Sequence, residues 1–410
     1  MSFNKFCVAF FTLLSQSVWA HSPAEGPSLP YDFYATPYQV VEHFGKQSGC
    51  DAKLRAGVIR SSLGAVNTLA ANAIGGELGC HFAVNERVTF HAALFGTMGA
   101  GLNRSNDDRV YDDFFNEKTD GYLILGEAHL KLSFDSFEAN LGRQRLDTPH
   151  MNNDDLRLVP HLFEAYLAEF HLADNLHAGA GFVRTMSGGE NGSDQSHFEG
   201  VGDAFGGDGH RSWLTWVTHE GDFAETSLWY YNVVDNSQII YADMSYSANV
   251  GNIEYTAAVQ ADWGEDIGSR NMGVVDAKTW GILSAINYND ITATFAYNRN
   301  HTNNGALPSL GDGAFFTSME DQTLDAVAGD RAEALLIGLE YAMSHHLTLG
   351  CDFGQFTARD KSDYDVEEAD IYLSYEWSDA AILDFVYTHI NDKNVAGKDH
   401  QLRAVLAYNY

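Results

Sequence analysis

The chain has 410 residues, with 24 Lys and Arg against 56 Asp and Glu, for a formal net charge of −32. That acidity excludes nucleic acid as a partner, because binding phosphate needs a basic footprint; it suits a surface or passage that attracts cations, though ordinary solubility also produces it. Aromatic residues make up 13% and glycines number 38 against 7 prolines, yet past the N-terminus no segment reaches the roughly 18 consecutive apolar residues of a membrane helix. Among membrane classes, only a β-barrel combines these features.

Met1 to Ala20 carries one cation, Lys5, then an apolar run from Phe6 to Leu14, and closes on Val18-Trp19-Ala20. This pattern predicts a secretory signal, its apolar run too short to span a bilayer; the bland alternative is a buried helix. Residues 21–50 show no strand pattern. Leu29-Pro30 and Thr36-Pro37 read as extended, and Tyr38 to Phe44 has room for one or two helical turns, so the segment is a periplasmic tail or a partial plug. A soluble chain of the remaining length would split into domains, but no linker divides residues 51–410, which are expected to form one barrel. Of Cys7, Cys50, Cys80 and Cys351, the first leaves with the signal. An odd, widely spaced set indicates no disulfide framework.

From there the chain repeats units of roughly 9–11 residues with period-2 alternation, the signature of a membrane strand. In Asn252 to Asp262, for example, Ile253, Tyr255, Ala257, Val259 and Ala261 share one face, and Glu254, Thr256, Ala258, Gln260 and Asp262 share the other. The pattern predicts strands at 53–60, 76–84, 87–98, 122–134, 137–145, 162–171, 175–186, 211–219, 223–232, 237–247, 252–262, 278–288, 291–300, 332–342, 346–357, 367–377, 380–390 and 400–410. Connections alternate short (Asn85-Glu86, Asp135-Ser136, Asn289-Asp290) and long (99–121, 187–210, 263–277, 301–331), as in outer-membrane barrels with tight periplasmic turns and long extracellular loops. A soluble sandwich or propeller has no reason to alternate so regularly.

Alternation aims Lys53, Arg55, Glu77, Glu127, His129, Lys131, Glu254, Asp262, Glu340, Asp352, Asp384 and Arg403 into the lumen, and Ile124, Gly126 and Ala128 toward lipid. Strict parity sends Arg143 and Arg145 outward, where a midplane charge costs about 2–4 kcal/mol. The favoured expectation is a bulge at Gly142 that turns both inward; the alternative is that they lie above the apolar band. The scattered histidines have no zinc spacing, and the acidic loops lack a calcium-loop pattern, so neither metal nor cofactor is expected. Gly-x-Ser-x-Gly and His-Glu-x-x-His are absent, which leaves an enzyme reading poor.

Leu141-Gly142-Arg143-Gln144-Arg145-Leu146-Asp147-Thr148-Pro149, then Asn152 through Pro160, then Phe163-Glu164-Ala165-Tyr166, resemble the OprD-like porins, particularly the major outer-membrane porins of epsilonproteobacteria. Lys53 through Arg60 resembles that family's first strand. The resemblance implies an eighteen-stranded barrel, often trimeric, in the outer membrane, with its third extracellular loop folded into the lumen. It would place Arg143, Arg145, Asp147, Asn152, Asn153, Asp154, Asp155 and Arg157 at a constriction, with a ladder of basic groups on one wall. The low basic content here puts a dense ladder in doubt, and Asp154-Asp155 also reads as a solvated loop cap. The expected function is a passive channel for small hydrophilic solutes or ions, with lipid and lipopolysaccharide as surroundings. A substrate-specific transporter with an N-terminal plug and an adhesive barrel displaying loops 99–121, 187–210 and 301–331 are the alternatives.

Overall fold

The computed structural model describes residues 48–62, 68–101, 109–189, 194–207, 209, 211–221, 223–311 and 313–410. The expected leader, and the tail as far as residue 47, lie outside them. Eighteen long strands follow one another: β1 Gly49–Ser61, β2 Leu69–Asn85, β3 Val88–Gly99, β4 Tyr122–Phe134, β5 Phe137–Gln144, β6 Leu162–Ala173, β7 Leu176–Ser187, β8 Ser212–Glu220, β9 Ala224–Val233, β10 Ser237–Val250, β11 Ile253–Asp266, β12 Asp276–Tyr288, β13 Ile291–Asn300, β14 Glu333–Ser344, β15 Leu347–Thr357, β16 Asp365–Ser378, β17 Ala381–Asp392 and β18 Asp399–Asn409. They match the expected strands one for one; β2 begins earliest relative to expectation, at Leu69 rather than 76.

Each strand pairs antiparallel with its neighbours, and β1 pairs with β18, Lys53 opposite Asn409 and Ser61 opposite Gln401. The sheet is therefore a closed barrel without a free edge, which lipid demands of any spanning sheet. Large apolar side chains such as Leu54, Val58, Ile74, Leu78, Val259 and Ile337 are exposed on one face. In water so broad an apolar surface would aggregate; here it is the lipid-facing belt. On β11, Val259 and Trp263 are exposed while Gln260 and Asp262 are buried, as alternation expects. Tight turns such as 86–87, 135–136, 174–175 and 289–290 close one end of the barrel, and the longer loops gather at the other. Two of those loops matter below: L3, residues 145–161, and L7, residues 301–332.

Two local features depart from expectation. The register between β3 and β4 slips at Ala93/Leu94, leaving Gly126 as an extra residue. A Cβ there would lie 2.4 Å from both Leu162 and Phe95, so the bulge needs glycine. The slip turns Ile124 inward, against Phe95 and Val159, while Glu127, His129 and Lys131 stay inward and buried. The second is a disulfide: Cys50 faces Cys80 across the β1–β2 ladder, Cα atoms 4.1 Å apart, and the two are bonded. The spacing of cysteines gave no hint of it because the pairing follows strand register. In the chain-entropy picture a bridge closing a loop of this size stabilises by about 3–4 kcal/mol, and the periplasm is oxidising enough to form it.

Thiol titration of the chain lacking residues 1–20, in denaturant, should find one reactive thiol, Cys351, before reduction and three after. Three thiols without reductant would contradict the bridge.

Candidate functional site

L3 leaves the wall where β5 ends, at Gln144. Arg143 is still in the ladder, opposite Ala128 and Glu164, on the same face as Phe137 and Leu141. The expected bulge at Gly142 does not occur: that residue takes φ +133°, but the pairing runs through it without a slip. Arg143 therefore stays with the outer face at the rim, donates to the Leu125 carbonyl at 2.9 Å and lies over the Phe198 ring at 4.1 Å. It is not part of the loop. Arg145, free of the strand, turns inward to pair with Glu77 and with Glu127, the latter at 2.9 Å.

The middle of L3 is a miniature hairpin, Asp147–Thr148 against Met151–Asn152. At its tip His150 is completely buried beside Tyr231 of β9, Tyr241 of β10 and Phe315 of L7. Its ring nitrogens face Asp262 of β11 at 3.3 Å and the Pro308 carbonyl at 3.1 Å. Burial works against charge on this ring, but Asp262 and the carbonyl outweigh it and raise the pKa. Met151 bridges to Leu310, so L3 and L7 share backbone bonds.

On the return, Asn152 accepts from the Asp154 amide at 3.1 Å, and the Asn153 side chain reaches the Leu146 carbonyl at 3.4 Å; both hold the loop's shape. Asp154 pairs with Arg157, which also binds Asp113 at 2.6 Å. Asp155 meets β1: Arg55 grips it with two bonds of 2.6 and 2.5 Å, and Lys53 lies 3.3 Å away. Burial presses the Asp155 carboxyl upward, and Arg55 with Lys53 overcomes it, holding the group at about 2. Since β1 and β10 stand nine places apart in the ring of eighteen, L3 crosses the lumen from one wall to the opposite one.

L7 folds inward too, against the expectation of a surface loop. Gln260 of β11 donates to the Ala314 carbonyl and accepts from the Phe316 amide, both at 2.8 Å. Thr317 donates to Asn298 of β13. The amides of Asp321 and Gln322 donate to Glu368 of β16 at 2.9 and 2.7 Å, and Glu320 pairs with Arg403 of β18 at 2.8 Å. L7 thus lines the inner wall from β11 round to β18. Only its length hinted at this.

The inner face is electrically lopsided. Lys53, Arg55, Lys131, Arg145, Arg157 and Arg403 all reach it, and each is paired with a carboxylate. Strands β8 to β17 contain two basic residues, Lys278 and Arg299, both on the outer face. Their inner face carries Glu225, Asp243, Glu254, Asp262, Glu340, Asp352, Glu368, Asp370 and Asp384. Of the expected wall residues, Lys53, Arg55, Glu127, His129, Lys131, Asp384 and Arg403 all point inward; Asp384 is open and donated to by Ser374 at 2.7 Å.

Two opposite pH dependences follow for the seat of L3. The depressed Asp155 carboxyl contributes stability above the ordinary carboxylate range, lost as pH falls toward about 2. The raised His150 contributes below the ordinary imidazole value, lost as pH climbs past it. Single-channel current noise should be lowest in weak acid and rise on both sides; a flat profile would contradict the assignment. Asp155→Asn should weaken the seat by about 2–3 kcal/mol and, by freeing two cations, move the reversal potential toward anions.

A family model described as outer membrane porin, OprD family, matches residues 88–322, more than half of the chain. Comparison with curated proteins finds no match. Solved structures are similar throughout. OccK9 (OpdG) of Pseudomonas aeruginosa superposes with a TM-score of 0.77 at 18% identity, covering 90% of this chain and 99% of that one. A BenF-like porin from Pseudomonas fluorescens Pf-5 gives 0.78 at 14%, covering 89% and 99%, and Pseudomonas aeruginosa OccK2 (OpdF), in complex with glucuronate, gives 0.74 at 15%, covering 90% and 99%. At such identities the likeness shows a shared fold. Together with the family match over β3 to L7, it establishes that this chain belongs to the OprD family of outer membrane porins and resides in the outer membrane of a Gram-negative bacterium.

Proposed function

We propose that the protein is a passive, cation-preferring diffusion channel for small hydrophilic solutes, with no chemistry of its own. The observation that carries this reading is the inner face of β8 to β17, which holds carboxylates and neither Lys nor Arg, while among the described residues Lys53, Arg55, Lys131, Arg145, Arg157 and Arg403 of the remaining inner wall are each engaged by a carboxylate. Asp262 is met by His150, and Glu368 and Asp370 lie buried beneath L7; the charge that faces the passage comes from exposed carboxylates such as Glu254 and Asp384, and negative charge there concentrates cations and repels anions. OccK2 holds glucuronate, an anion; capturing such a ligand takes free guanidinium or ammonium groups, and here those groups are already paired. The infolding of L7 also removes one of the three loops on which an adhesive role would rest.

In planar bilayers under a KCl gradient, the reversal potential should carry the sign of cation selectivity. Asp384→Lys, at an open position on the acidic wall, should reduce it. A reversal potential of anionic sign, or folded protein that never conducts, would sink the reading.

A further inference from the structure

We propose that the chain binds a divalent transition-metal ion of the zinc or copper(II) kind at the periplasmic mouth of the lumen, through Glu169, His171 and His177. The proposal needs the β6–β7 hairpin and not the transport reading above.

The tight turn at 174–175 folds β7 back on β6, placing His171 directly opposite His177 and Glu169 opposite Gly179. Glu169 and His171 share the inward face with the buried Leu167 and Ala165. One carboxylate oxygen, Glu169 Oε1, lies 3.9 Å from His171 Nε2 and 3.9 Å from His177 Nδ1, and the donor atoms of the three residues all lie within 4.8 Å of one another. Those gaps are too long for hydrogen bonds. The two carboxylate gaps are within an ångström of the ~3.3 Å separation of donors that each sit about 2 Å from a tetrahedral zinc, and with all three donors inside 4.8 Å rotation of the side chains would complete the site. His177 Nδ1 is buried and has no hydrogen-bond partner. The three side chains are 17–32% exposed, which lets an ion enter from the lumen.

A second layer holds the carboxylate in position. Glu169 Oε2 accepts from the Trp216 indole N–H at 3.0 Å, leaving Oε1 turned toward the imidazoles. The indole reaches Glu169 by lying across Gly179, where a Cβ would be 2.0 Å from the ring; Trp216, Gly179 and Glu169 form one row across β8, β7 and β6. An outer-sphere bond that fixes a ligand's orientation is a regular feature of metal centres. Two imidazoles and a carboxylate favour zinc or copper over magnesium or calcium, which prefer all-oxygen shells, and leave a coordination position for water. The neighbouring acidic wall raises the local cation concentration. No short sequence pattern exposes the trio, because its third member arrives by strand pairing.

Isothermal titration of zinc chloride into chelator-stripped, detergent-folded protein tests this without any transport measurement. One saturable site per chain is expected. His171→Ala combined with His177→Ala, and separately Glu169→Gln, should weaken it at least tenfold, with folding checked by heat-modifiable gel mobility. Trp216→Phe should weaken it by about 10–100-fold. His389→Ala with His400→Ala, a stacked pair on the outer face, should leave it unchanged. No saturable binding, binding unaltered by the Glu169 and His171/His177 substitutions, or binding lost only with the outer pair would overturn the proposal.

Discussion

A sheet inside lipid has no water to satisfy its edge, so its first and last strands must bond to each other. The β1–β18 ladder is that bond, and the other features of the barrel depend on it. Once the ring is closed, each strand has one face to lipid and one to the lumen, and alternation becomes compulsory. Charged residues such as Lys53, Arg55, Glu77 and Glu127 near the start and Glu340, Asp384 and Arg403 near the end are then gathered on a shared inner surface although hundreds of residues separate them in sequence.

A ring of eighteen strands is too wide to be filled by its own side chains, and L3 and L7 occupy what remains. A loop brought inside must find partners for its backbone. The wall supplies them: Gln260, Glu368 and Asp370 receive the L7 amides, and L3 and L7 bond to each other at His150 and Leu310. Lys53 and Arg55 hold the far end of L3 through Asp155. The same ion pairs that seat the loops consume the basic groups of the lumen, so the fixing of the loops and the acidity of the passage have a common origin.

Strand number, strand order and the facing of most side chains were legible in the sequence, because a two-residue period written over ten residues is a local signal. The infolding of L3 was available through a family resemblance on Leu141 to Tyr166. What escaped depends on register between strands. The Gly126 bulge, which turned Ile124 inward, looks like any other glycine in a strand. Cys50 meets Cys80, and His171 meets His177, only once neighbouring strands are aligned. Arg143 and Arg145 share one parity in one run, yet the strand ends between them, leaving one on the outer rim and freeing the other. The inward fold of L7 rests on scattered polar partners in four strands, β11, β13, β16 and β18, which no local pattern records.

The most direct test of the account exploits adjacent residues that it assigns to opposite faces. In a background lacking the Cys351 thiol, cysteines are placed singly at Asp384 and at Phe385, and a cationic thiol reagent is added while single-channel current is recorded. The account predicts a stepwise change in conductance for the Asp384 variant and none for the Phe385 variant. Equal responses at both positions, or a response at Phe385 alone, would contradict it.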